Sequence, residues 1–440
     1  MRVTASRRLY GLAAIMFATL VASTRIPGGP GAPAYLIAVV IAGIAYLLAI
    51  REFFVTPEFS RHVVLIGLVF AALWHIPFLL APPGSDDDVH RYVWDGRVQR
   101  LGYNPYTVVP SDPAFSSLHT PETRTLNNPD VPSPYPAGAQ LFFRAVTAAH
   151  ESTSAFKVAF GACELAIVVL LLAELRRLGQ GEHWVLGFAW NPLLVLCVAQ
   201  SPHIDILGAL LLLISAAALR RHWRALAAIA FGLAVAVKFL PIVLTPLYWR
   251  RVRVRDALLA VLIVGLLYVP FLRQGSVPLG SIGVFVQRFR FNDPIFSTLE
   301  RIVSPEVAAG LAVIVGLGTA AALRKRHDED SSFTSVSACA WPIAATLLCA
   351  PVVYPWYLLW LLPFVRSVST LPIIIWTIAI IPTFYVWHLR TLGRSWLVPG
   401  WIMLMEYGLV AAAAAIIEYR RLALQTAPDA ANDLGRRSIR

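Results

Sequence analysis

Charge is scarce in this sequence. Only 14% of its 440 residues are charged and 58% are hydrophobic, where an ordinary soluble chain carries ~25% charged residues. That shortage excludes a water-soluble globular protein and leaves an all-α polytopic membrane protein. Lysine is rarer still. It occurs at Lys157, Lys238 and Lys325 alone, so arginine carries nearly all of the net charge of +12. The excess does not imply a nucleic-acid partner. The arginines sit in short clusters between apolar runs, which is how a membrane protein marks its cytoplasmic loops. The four cysteines, Cys163, Cys197, Cys339 and Cys349, all fall within apolar runs. This pattern predicts buried free thiols and argues against a disulfide frame or a metal site. There is no clear internal repeat, and no soluble stretch is long enough to fold alone.

A helix needs ~20 apolar residues to cross a bilayer, with ~17 sufficient. Residues 9–24, 34–50 and 63–80 are the first three such runs. The N-terminal run could pass for a signal peptide, but no small-residue cleavage site precedes a soluble domain, so it reads as a retained helix. Arg2, Arg7 and Arg8 before the first run, with Arg51 and Arg61 after the second, put the N-terminus in the cytoplasm. Three crossings then place residues 82–136 outside. Further runs (155–175, 184–200, 204–219, 257–272, 307–323, 336–352, 354–364, 371–387 and 399–417), with a broken segment at 225–249, give 12 to 14 crossings and an even number. A second outer loop spans 273–304. One integral-membrane domain therefore covers residues 1–423. Residues 424–440 read as a disordered basic cytoplasmic tail.

Against this apolar background, one stretch stands apart. Residues 85–106 read SDDDVHRYVWDGRVQRLGYNPY and gather Asp86, Asp87, Asp88 and Asp95 with Arg91, Arg97 and Arg100. Tyr92, Trp94, Tyr103 and Tyr106 lie among them. Adjacent carboxylates at a membrane exit have three uses. They can supply a general base for an attacking hydroxyl, hold a divalent cation, or cap the helix that begins near Val89. Capping alone leaves unexplained the recurrence of Arg91, Trp94, Asp95 and Arg97 at near-helical spacing. Arginines suit phosphate, and aromatics suit a sugar face or the headgroup level.

Other polar residues gather on the same outer side. His203 and Asp205 border a helix entrance. Lys238 lies within an apolar segment, where an unpaired lysine is costly, so a phosphate partner is the default reading. Arg288 and Arg290 sit among Phe285, Phe289 and Phe291, a setting suited to lipid phosphate or to headgroup anchoring. The Tyr354-Pro355-Trp356-Tyr357 run reads as an aromatic belt. Glu164 and Glu406 fall inside spans and require partners from other segments.

The stretch at 85–106 resembles the first large loop of the bacterial GT-C membrane glycosyltransferases. It is most similar to the polyprenyl-phosphate-mannose-dependent mannosyltransferases grouped as glycosyltransferase family 87. The likeness rests on Ser85, Asp87 and Asp88, on Arg91-Tyr92, on Trp94-Asp95-Gly96-Arg97 and on Gly102-Tyr103-Asn104-Pro105-Tyr106. Tyr135-Pro136 with Gln140, Trp190-Asn191-Pro192 and the Lys238 segment extend it to about residue 241. The chain departs from the pattern in three places. It has a third aspartate, it has His90 where an aromatic is usual, and it has Ser201-Pro202-His203-Ile204-Asp205 in place of a Gly-His-Asn-Asp element.

The resemblance implies inverting transfer of a hexose, most readily mannose, from a polyprenyl-phosphate donor to an extracytoplasmic glycan or lipid acceptor. It aligns Asp87 and Asp88 with the usual acidic pair. Asp87 ranks first as the base, Asp88 second and Asp86 third, with Asp88 free to cap the helix. Arg91, Lys238, Arg288, Arg290 and His203 are the expected ligands of the donor phosphate. Tyr92, Trp94, Asp95, Arg97, Asn104, Tyr106, Tyr135 and Asp205 are the expected substrate contacts. A divalent cation is compatible with this scheme but not required. The competing class is a lipid or glycan transporter, which predicts inverted repeats and polar sites at the midplane. A non-catalytic envelope assembly protein would need no acid cluster.

Overall fold

The computed structural model describes residues 2–84, 87–274, 279–329 and 337–437. Its architecture is helical throughout, with a single isolated bridge, Phe291 to Val352, among the described residues. Three long helices open the chain: α1 (Arg2–Ser23), α2 (Pro33–Val55) and α3 (Arg61–Leu80). The stretch after α3 then contributes α4 (Asp88–Arg100), a short 3-10 turn and α5 (Ala137–Ala149) before α6 (Thr153–Arg177). Beyond these lie α7 (Asp205–Arg220), α8 (Arg224–Val237), α9 (Val254–Tyr268), α10 (Pro305–Glu329), α11 (Ser337–Leu348), α12 (Leu371–Ala379) and α13 (Gly400–Arg437). The backbone of α13 runs on into the stretch expected to lack structure.

Eight described helices are long and apolar enough to cross a membrane, or nine if one bent pair counts as a single span. That is fewer than the expected 12 to 14 crossings, and the difference lies in segments whose helices are short or broken. Residues 184–200 break at Asn191-Pro192, and their second half, Val195–Gln200, is a π-helical turn. It meets α7 at 119° and so turns back on itself. Residues 354–364 form 3-10 turns punctuated by Pro355 and Pro363. The segment at 225–249 breaks after Val237 into short turns carrying Pro241 and Pro246. The 354–364 piece is apolar and enclosed by protein. Leu358, Leu359, Trp360 and Leu361 are all fully enclosed. Irregular backbone at membrane depth is tolerated where protein surrounds it.

The stretch between α3 and α6 is held by a buried polar hub. The Asp95 carboxylate, wholly enclosed, accepts from Arg91 Nε at 2.9 Å, from Ser133 Oγ and from Gln140 Nε2 at 2.9 Å. Arg91 also donates to the carbonyls of Asn128 and Val131, and Gln99 Nε2 donates to Gln140 Oε1. Gly96 is the point of closest approach between α4 and α5. A Cβ there would lie 2.5 Å from the Phe143 carbonyl oxygen. The two acids inside spans also find partners. Glu164 faces His75 Nε2 at 3.2 Å, and Glu406 accepts from Asn292 and from Trp376 Nε1.

Candidate active site

A cavity of about 1330 Å³ opens beside the start of α4. Ligand pockets commonly span ~300–1,000 Å³, so this one has room for more than one substrate moiety. Four chain segments build its polar end. Asp87 and Asp88 stand at the head of α4. Ser201 and His203 follow the π-helical turn, Asp205 begins α7, and Lys238 ends α8.

The two aspartates divide their work. Asp87 is the N-cap of α4, its Oδ1 accepting from Val89 N at 3.3 Å, and its Oδ2 accepts from Ser201 Oγ. Both of its oxygens are therefore committed to the fold. Asp88 is the first residue of α4, the reverse of the expected assignment in which Asp88 would cap. Its Oδ1 accepts from Asn127 Nδ2, and its Oδ2 faces His203 Nε2 at 3.9 Å, beyond hydrogen-bond length. Burial pushes the Asp88 carboxyl above the ordinary carboxylate range. His203, Lys238 and the Asn127 bond oppose the shift, while repulsion from Asp87 adds to it. Asp86 lies outside the described residues.

His203 is fixed by its neighbours. Its Nδ1 faces the carbonyls of Ser201 at 2.6 Å and Cys197 at 3.3 Å, so that nitrogen carries a proton and Nε2 is left toward the cavity. The ring stacks on Trp356 at 4.0 Å. Asp205 Oδ1 accepts from Lys238 Nζ and from Trp360 Nε1, each at 2.7 Å. Gly208, one turn along α7, admits the Trp360 ring, since a Cβ there would come within 1.9 Å of it. Lys238 Nζ also lies 3.5 Å from the centroid of the Tyr357 ring. The expected phosphate ligand thus already has a carboxylate partner inside the protein.

The remaining expected site residues separate into two sets. Tyr135, Arg91, Arg288 and Arg290 line the cavity with the groups above. Arg91 spends its donors on Asp95 and two loop carbonyls, and Arg290 spends its own on Glu300 and on the carbonyls of Val286, Gln287 and Phe289. Arg288, exposed on the rim, has no ion pair among the described residues. Tyr92, Trp94, Asp95, Arg97, Asn104 and Tyr106 do not reach the cavity. Tyr92 stacks on Phe143 at 4.4 Å, and Trp94 stacks on His119 at 4.2 Å. Arg97 pairs with Glu151, Asn104 Nδ2 donates to the Phe271 carbonyl, and Tyr106 Oη donates to the Tyr135 carbonyl. These six brace the loop and lie outside the cavity lining.

Sequence reasoning missed the far wall. Tyr354, Trp356 and Tyr357, read as an aromatic belt, line the cavity together with Trp387 and Trp396. Trp356 stacks between His203 and Tyr354, and Trp387 meets Trp396 at 4.7 Å. The signal was the density of ring side chains beside prolines, which an interfacial belt shares. Asn127, which holds Asp88, carried no local signal at all.

The family model for the alpha-(1->6)-mannopyranosyltransferase N-terminal domain matches residues 12–252. The chain belongs to that family. The match covers more than half of the chain, includes every residue of the polar end, and agrees with the resemblance seen at 85–106. The family makes the chain a membrane mannosyltransferase, with a sugar donor and an acceptor as its partners. No curated protein and no solved structure matches the chain.

Proposed function

We propose that the cavity transfers mannose from a polyprenyl-phosphate donor to a hydroxyl of a glycan or lipid acceptor outside the cytoplasm, with inversion. The observation that carries this reading is the free Oδ2 of Asp88, which faces His203 across the polar end while Asn127 holds the side chain through Oδ1. Asp88 takes the proton from the acceptor hydroxyl, and the resulting oxygen nucleophile attacks the anomeric carbon. The bond from that carbon to the phosphate oxygen breaks, and the phosphate leaves with the electron pair. It is already anionic and needs no general acid, so the protein supplies a base and cations. Lys238 and the uncommitted Arg288 are the cations best placed for the phosphate, with His203 Nε2 beside them. Asp87 positions the start of α4 instead of acting as the base.

Incubating the purified protein with labelled polyprenyl-phosphate mannose and a membrane extract should yield a labelled glycan or lipid. Label that crosses a vesicle membrane still attached to its carrier would favour the transporter reading. Lys238→Met should raise the donor KM about ten- to a hundredfold, since a charge-assisted hydrogen bond contributes ~1.5–3 kcal/mol. That substitution also strands Asp205, so the control is Asp205→Asn with Lys238→Met. A double variant that regains the wild-type donor KM would confine Lys238 to neutralising Asp205. The arginine clusters support an outer position for Asp87, so a reporter fused after Pro110 should be active only when exported. Activity of a cytoplasmic reporter at that point would place the cavity on the other side.

A further inference from the structure

The end of α7 remote from the cavity carries a second charged site. Sixteen residues separate the two ends of that helix, ~24 Å at 1.5 Å per residue, with Asp205 at one end and Arg220 at the other. There the carboxylate of Glu174, completely buried near the end of α6, accepts from Arg220 at 2.8 Å and from Arg177 at 3.3 Å and forms an ion pair with Arg221. One acid serves three guanidiniums. A fourth, Arg366, lies within electrostatic reach of both Arg220 and Glu174. Burial, reinforced by repulsion from Arg220, pushes it down to about 10. Its Nη2 is buried and has no hydrogen-bond partner among the described residues. No second described carboxylate bonds to any of these four arginines.

Buried like charges with one counter-ion and an unused donor require an anion from outside the chain. The planar fork of arginine matches phosphate oxygens, and basic pockets between membrane helices take lipid headgroups. Arg220 is nearly enclosed, while Arg177 and Arg221 are partly exposed, so the cluster opens outward from a buried floor. We propose that Arg177, Arg220, Arg221 and Arg366 bind a phosphate group, either of an anionic lipid headgroup or of free phosphate, at the end of the bundle opposite the cavity. This site is independent of the mannosyl-transfer reading.

The test uses the full-length protein in neutral detergent, with phosphatidylglycerol, phosphatidylcholine or inorganic phosphate added. Thermal unfolding and native mass spectrometry are the two readouts. Phosphatidylglycerol should raise the Tm and be retained on the protein, and phosphatidylcholine should not. Arg366→Gln and Arg221→Gln should each weaken retention about fivefold, the equivalent of ~1 kcal/mol per basic residue at an anionic surface. Arg176→Gln removes a nearby exposed arginine that pairs with Glu182 at 2.9 Å and should leave retention unchanged. Should Arg366→Gln fail to fold, the partly exposed Arg221 decides. Stabilisation by inorganic phosphate alone would identify the free ion as the source. The site is refuted if neither phosphate nor phosphatidylglycerol raises the Tm, or if Arg176→Gln loses as much lipid as Arg366→Gln.

Discussion

Asp88→Asn should reduce mannosyl turnover by ~10²–10⁴-fold with expression and melting temperature close to wild type, because general-base catalysis contributes about that much. The side chain keeps its size, and its Oδ1 can still accept from Asn127. Basicity at Oδ2 alone is lost. Asp87→Asn should be far milder, since asparagine caps a helix about as well as aspartate and its NH₂ can donate to the Ser201 hydroxyl, which accepts as well as donates. A pH profile gives a second readout. The Asp88 carboxyl is raised above the ordinary range, chiefly by burial, and the base works only when deprotonated. Activity should therefore climb with pH through that raised value, and the acid limb should sit above the ~3.9 of a free aspartate. Near-full turnover in Asp88→Asn with a dead Asp87→Asn would restore the alignment-based order of the two residues.

The acid loop was legible because its composition contradicts its surroundings. Which aspartate keeps a free oxygen was not, because that turns on a single residue of helix register. Asp87 caps and Asp88 begins α4, whereas a helix starting at Val89 would have left the cap to Asp88. The same limit explains Tyr92, Trp94, Asp95 and Arg97. Side chains that suit sugar and phosphate also suit a buried clamp, and the partners that decide the matter are Ser133, Gln140, Phe143 and Glu151, some 38 to 54 residues away. Hydropathy located the long helices near their true positions. It gave more crossings than there are long unbroken helices, because hydropathy does not register breaks such as Asn191-Pro192. Lys238 was rightly singled out as a costly charge. Its partner Asp205 had been noted separately, 33 positions earlier, with nothing local to join the two.

The clamp gives the second large expectation. Asp95→Asn should lower stability by ~3–5 kcal/mol, the usual cost of removing one partner from a buried ion pair. Arg91 would remain nearly enclosed beside a neutral amide, and the new NH₂ would confront either Arg91 Nε or the donors of Ser133 and Gln140, according to which oxygen it replaces. The double variant Arg91→Met with Asp95→Asn should recover part of the loss, because it removes the stranded charge. Thermal unfolding of the purified proteins in one detergent supplies the comparison. The fraction of Asp95→Asn that folds should keep a donor KM near wild type, since Asp95 lies outside the cavity lining. A variant that melts like wild type but binds donor poorly would mean that Asp95 meets the sugar after all, and that the hub around Gln140 rearranges when substrate enters.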